Sequence, residues 1–207
     1  MVLAAVAGLL TGAGLIVGIG PQNAMVLRAG FVGTHVALVV AVCAAADVAL
    51  ITTGVAGVGS ALAGHRWLVV TATIAGAAYV IAFGVASARR AFVPSGSMDA
   101  RIPTPGLAVT RVAAVGAALI PTLLNPHVYL DTVLTLGTIA HAHGPIGKWA
   151  FGAGACLASV IWFAALGFGA ARFAPLFARP RAWQVLDAVV AVVMIGCGVL
   201  LLASLAG

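Results

Sequence analysis

Of 207 residues, 63% are hydrophobic and only 7% are charged, with ten Lys and Arg against four acidic residues, all Asp, for a net charge of +6. A soluble domain carries about 25% charged residues, so this chain has too few to cover a water-facing surface. That excludes a water-soluble enzyme, a disordered chain and a coiled coil. Nucleic acid is excluded as a partner because the Arg residues are scattered between apolar runs. An integral membrane protein remains.

A bilayer core about 30 Å thick needs roughly 20 apolar residues per helix. In chain order the apolar runs predict six spans: about Val2 to Leu27 with an interruption, Val36 to Leu62, Trp67 to Ala88, Val112 to Ala140, Trp149 to Ala171 and Val185 to Ala206. The runs lack period-2 alternation, which favours helices over a barrel. The first run has no charged n-region, and more apolar sequence follows its polar break, so it is expected to be a retained helix and no signal peptide. Trp67, Trp149 and Trp183 fall at predicted span ends, where indoles anchor at the interface.

A polar stretch with Pro94, Pro103, Pro105 and Arg101 divides the chain into three spans plus three. The expected organisation is a first three-helix repeat over 1–90, a cytoplasmic linker over 91–106 and a second repeat over 107–207. An odd number of spans per half inverts the second half relative to the first, the arrangement common in secondary transporters. The fold class is therefore an all-α polytopic membrane protein, built as two inverted repeats. Loops one, three and five hold eight of the ten basic residues: Arg28; Arg89, Arg90, Arg101 and Arg111; Arg172, Arg179 and Arg181. The positive-inside rule makes those loops cytoplasmic and leaves both termini outside a cytoplasmic membrane.

Each half opens on an interrupted helix, Gly20-Pro21-Gln22-Asn23 in helix 1 and Asn125-Pro126-His127 in helix 4. Proline removes an intrahelical hydrogen bond. In lipid the freed backbone is tolerable only against protein or a wet cavity. Matched breaks in corresponding helices point to a substrate site near the midplane. The amides of Gln22, Asn23 and Asn125 can donate to a carboxylate or accept from an ammonium.

Two of the four Asp residues fall deep in spans: Asp47 near the middle of span two, and Asp131 five residues past Pro126. An Asp at a helix centre costs about 2.5–3.5 kcal/mol on insertion scales, and such residues mark ion, proton or substrate paths. His127 precedes Asp131 by four positions and shares its face, so the pair suits proton relay. Tyr129 is a further cavity candidate. Asp187, at the start of span six, and Asp99, in the linker, are expected to reach water and to be structural. His35, His65, His141 and His143 lack metal-ligand spacing, so no metal and no cofactor is expected. Cys43, Cys156 and Cys197 lie within spans and form no C-x-x-C, which favours packing over a disulfide or zinc. Gly8 and Gly12, Gly14 and Gly18, with Gly152, Gly154, Gly167 and Gly169, form small-residue stripes suited to close helix contact, and exposed stripes permit a homo-oligomer.

These residues resemble those of the lysine exporter (LysE/ArgO) family of basic amino acid exporters. The resemblance rests on Gly18-Ile19-Gly20-Pro21-Gln22-Asn23 and on Asn125-Pro126-His127-Val128-Tyr129-Leu130-Asp131. It extends to Ser159-Val160-Ile161-Trp162-Phe163 with Gly167-Phe168-Gly169, and to Val189-Val190-Ala191-Val192-Val193-Met194. It implies export of L-lysine or L-arginine from the bacterial cytoplasm, driven by the membrane potential or the proton gradient. It also implies paired acidic residues at Asp47 and Asp131, and broken-helix residues at Pro21, Gln22, Asn23, Asn125 and Pro126. Neighbouring families of the same superfamily export neutral amino acids or cadmium.

Other classes make distinct demands. A passive channel needs pore-lining rings, and an intramembrane thiol redox carrier needs Cys43 or Cys156. An intramembrane protease needs a nucleophile–base pair, for which Ser159 has no evident His. The transporter is the leading reading.

Overall fold

The computed structural model describes residues 1–17, 20–58, 65–92, 110–175 and 180–205, which are helical almost throughout and include no strand. The helices are α1 (Val2–Ile16), α2 (Pro21–Val32), α3 (Val36–Thr53), α4 (Arg66–Phe92), α5 (Arg111–Leu123), α6 (Pro126–His141), α7 (Gly144–Arg172) and α8 (Pro180–Ala203). A π-type stretch, Gly54–Val58, prolongs α3, and another, Leu130–Thr135, lies within α6. The linker residues Pro94, Asp99, Arg101, Pro103 and Pro105, together with Gly18, Arg179 and the end of the second predicted span, lie outside the described residues.

Among the described residues four helices are long and apolar enough to cross a bilayer, and the spans number up to six if each of two bent pairs counts as one. Those pairs are α1 with α2, at 81°, and α5 with α6, at 63°. The chain is thus a multi-pass membrane protein, and its surface agrees. Leu3, Val112, Val192 and Leu200 are exposed, while Gln22, Asn23, Asp47, Asn125, Ser159 and Asp187 are buried. Helix α4 runs on to Phe92, so Arg89 and Arg90 stand on its last turn and not in a loop. Cations there complement the helix dipole.

Local sequence explains the ends. Pro21 and Pro126 each occupy the first helical turn, where a missing N–H costs nothing. Thr110 caps α5 by accepting from the Ala113 N–H at 3.2 Å. Helix α2 closes on Gly33 in the left-handed region, φ 74°.

Packing follows the small residues. A Cβ on Gly8 would lie 1.9 Å from the Phe151 carbonyl oxygen, and one on Gly154 would lie 1.9 Å from that of Ala5, so α1 and α7 approach backbone to backbone. Gly30 meets Gly167 in the same way where α2 crosses α7. Gly14 and Gly169 have open space around them and take no part. Helix α7 also packs on α3, α5 packs on α3, and α4 pairs along its length with α8 through Val80, Val190 and Met194.

Candidate functional site

The cavity encloses about 110 Å³ among α1, α2, α3, α4, α6, α7 and α8. One water needs roughly 10–15 Å³ of such space, so the cavity has room for several. Its wall holds Gly20, Pro21, Gln22 and Asn23 from the first break, Asn125 and His127 from the second, and both Asp47 and Asp131. Residues more than a hundred positions apart in the chain therefore meet in one place.

Asp47 is 2% exposed, and its Oδ2 accepts from the Ser159 hydroxyl of α7 at 3.0 Å. Asp131 pairs with His127, Oδ2 to Nε2, at 3.4 Å, as their spacing of four positions on one helix predicts. The two carboxylates thus differ: one is held by a neutral hydroxyl, the other by an imidazole.

Both breaks are stitched by a side chain from beyond them. Asn23 Nδ2 donates to the Ile16 carbonyl, the last of α1, at 2.8 Å, and Trp162 Nε1 donates to Asn23 Oδ1 at 3.3 Å. Tyr129 Oη donates to the Leu123 carbonyl, the last of α5, at 2.8 Å. Asn125 Oδ1 accepts from the His127 backbone N–H at 3.1 Å and so caps α6. Helix ends leave such groups orphaned, and in lipid they need partners. Tyr129 and Pro126 do not line the cavity, so the expectation of Tyr129 as a cavity residue gives way to a stitching role.

Two buried side-chain nitrogens have no hydrogen-bond partner among the described residues: Gln22 Nε2, in a residue 7% exposed, and His127 Nδ1. Both belong to cavity-lining residues.

The structure corrects the reading of Asp187 as water-reaching. Asp187 is 2% exposed and binds Arg28 of α2, while Arg90 of α4 reaches the same carboxylate oxygen at 3.2 Å. Arg90 also donates to buried Ser87 at 2.5 Å. Trp183, expected as an interfacial anchor, is buried beside this cluster, edge-on to Phe31 and under the Arg28 guanidinium, whereas Trp67 and Trp149 are exposed. Arg28 sits at the far end of α2 and pairs there, so it does not neutralise Asp47 or Asp131.

Thr132, Met194 and Cys197 also line the wall, a role that the sequence reading does not give them. From sequence, Ser159 reads as part of the family resemblance and as a candidate nucleophile, not as a partner of Asp47. An isolated polar residue midway along an apolar helix was the available signal, since a buried Asp47 needs a donor. All three cysteines are free: Cys43 is buried in the core and Cys156 packs at a core edge. Among the described residues no group of three His, Cys, Asp or Glu side chains is arranged to hold a metal ion.

Comparison with known proteins gives a consistent result. The family model of the LysE type translocator matches residues 13–205. A candidate amino-acid transporter of Mycobacterium tuberculosis is 45% identical over 91% of this chain and 91% of its own length. The lysine exporter of Corynebacterium diphtheriae is 34% identical, covering 92% of this chain and 94% of its own. The arginine exporter of Pectobacterium atrosepticum is 35% identical over 91% of each chain. No solved structure matches. With a cavity lined from both Pro-containing bends, and a family match over nearly its whole length, this multi-pass membrane protein belongs to the LysE type translocator family.

Proposed function

We propose that the protein is a secondary transporter exporting basic L-amino acids, lysine or arginine, from the cytoplasm. The observation that carries this reading is the charge of the cavity. Among the described residues its acidic groups are Asp47 and Asp131, its one basic side chain is His127, and neither Lys nor Arg lines it. Such a wall attracts a cation and penalises an extra carboxylate. Relatives named as lysine and arginine exporters, at 34% and 35% identity, support the same substrate class.

The pattern of packing supports an inverted-repeat architecture with broken helices 1 and 4. The bent pair of the first half packs on α7, the middle helix of the second, and the bent pair of the second packs on α3, the middle helix of the first. The third helices, α4 and α8, pair with each other. Such an exchange is what a twofold relation between the halves requires. In this reading the basic loops face the cytoplasm and both termini face outward.

Voltage bears on coupling. Moving one positive charge out against an inside-negative potential costs about 2.3 kcal/mol per 100 mV, a concentration factor of about 50. Antiport with a proton offsets that cost. Asp47, which has no basic partner among the described residues, is the carboxylate free to exchange a substrate ammonium for a proton, while Asp131 is shared with His127.

Efflux from proteoliposomes preloaded with labelled lysine, arginine and threonine, under an imposed pH gradient or voltage, tests this. Saturable, gradient-dependent efflux of lysine or arginine, lost in Asp47→Asn, is expected. Threonine efflux, or wild-type transport by Asp47→Asn, would overturn it.

A further inference from the structure

We infer that Gln22 and His127 hold the α-carboxylate of the transported amino acid, Gln22 through Nε2 and His127 through Nδ1. This inference rests on the substrate class proposed above and assigns its second pole.

A zwitterionic substrate brings a carboxylate into a cavity whose own carboxylates repel it, so it needs donors that nothing else has taken. Most polar groups of the wall are already committed. The Asn23 amide stitches the first break and Asn125 caps α6. The Ser159 hydroxyl, just behind the wall, is spent on Asp47, and Thr132 Oγ1 donates to the Val128 carbonyl at 2.6 Å. Two buried side-chain nitrogens make no hydrogen bond among the described residues, Gln22 Nε2, whose amide lies near Asp47 and Cys43, and His127 Nδ1, and both residues line the same space. An unsatisfied buried donor loses its hydration with nothing in return, so it is retained where a ligand completes it.

The two residues hold equivalent positions. Each directly follows the proline that opens its helix, Pro21 in α2 and Pro126 in α6. The N-cap of α2 is Gly20, which has no side chain to cover the first-turn N–H groups, and this leaves that end open to an anion. Nε2 faces Asp131 at 3.4 Å, so a proton shared between those two groups leaves Nδ1 to carry the N–H that the substrate carboxylate accepts from. The His127–Asp131 pair is then internally neutral, and Asp47 remains as the free negative charge for an ammonium.

The test compares L-lysine with L-lysinamide, which keeps both ammonium groups and lacks the carboxylate. Binding of labelled lysine to the purified protein in nanodiscs is measured with each compound as competitor. Wild type should prefer lysine by about tenfold or more, the scale of a hydrogen bond to a charged group. Gln22→Leu should bring the preference close to one while lysinamide still binds, which also demonstrates a folded protein. His127→Asn, which keeps a donor near the Nδ1 position, should retain the preference. His127→Gln, which places its donor near Nε2, should lose it. An unchanged preference in Gln22→Leu and His127→Gln, with saturable lysine binding, overturns this inference alone. Saturable binding of neither compound to wild type overturns the basic amino acid reading and this inference with it.

Discussion

Ser159 Oγ donates to Asp47 Oδ2 at 3.0 Å, joining α7 to α3 beside the cavity. The hydroxyl holds the one cavity carboxylate that has no basic partner. Ser159→Ala should therefore lower efflux about tenfold, the scale of one hydrogen bond to a charged group, and leave the protein folded. Asp47→Asn should abolish it. Efflux rates normalised to reconstituted protein check both, and wild-type rates in Ser159→Ala would exclude the link.

The stitches across the two breaks differ in burial, and their removal should differ accordingly. Asn23 is 5% exposed, so Asn23→Leu strands the Ile16 carbonyl and should cost about 1–3 kcal/mol. Tyr129 is 38% exposed, and Tyr129→Phe should cost no more than about 1 kcal/mol. Thermal unfolding in detergent should rank Asn23→Leu well below Tyr129→Phe; the reverse order would reject the account.

Asp187→Asn removes the carboxylate that Arg28 and Arg90 share. Breaking a buried pair costs about 3–5 kcal/mol, and the low end applies because both guanidiniums are partly exposed. Adding Arg28→Gln should recover part of the lost Tm by removing the stranded cation. A double variant no more stable than Asp187→Asn would count against the pairing.

Gly8→Ala should prevent close packing of α1 on α7, because its Cβ would fall 1.9 Å from the Phe151 carbonyl oxygen. Gly14→Ala, on the same helix with open space around it, should be neutral or stabilising by up to about 1 kcal/mol. Yield of monodisperse protein on size-exclusion chromatography separates the two. Equal yields would show that the stripe does not set the contact.

A variant with Cys43, Cys156 and Cys197 all replaced by Ala should retain lysine or arginine efflux, since all three thiols are free and Cys43 is enclosed in the core. Loss of transport with retained folding would revive the thiol redox reading.

Composition and the apolar runs determined by themselves that this chain is a helical membrane protein, and the two Pro motifs fall at the two bends among its described helices. The reason is that the bilayer imposes length and hydropathy on each span locally. The same local logic made the pairing of His127 with Asp131 legible, because one helix turn sets it. Contacts between distant segments are not encoded by any local period. Ser159 on Asp47, Trp162 on Asn23 and Asp187 between Arg28 and Arg90 each join separate helices, so only tertiary packing decided them. Packing also separated Asn23, Asn125 and Tyr129, whose donors or acceptors close helix ends, from Gln22 and His127, which keep a nitrogen unspent in the cavity. A side chain's residue type states what it can bind. Its neighbours in space determine which of those bonds are already made.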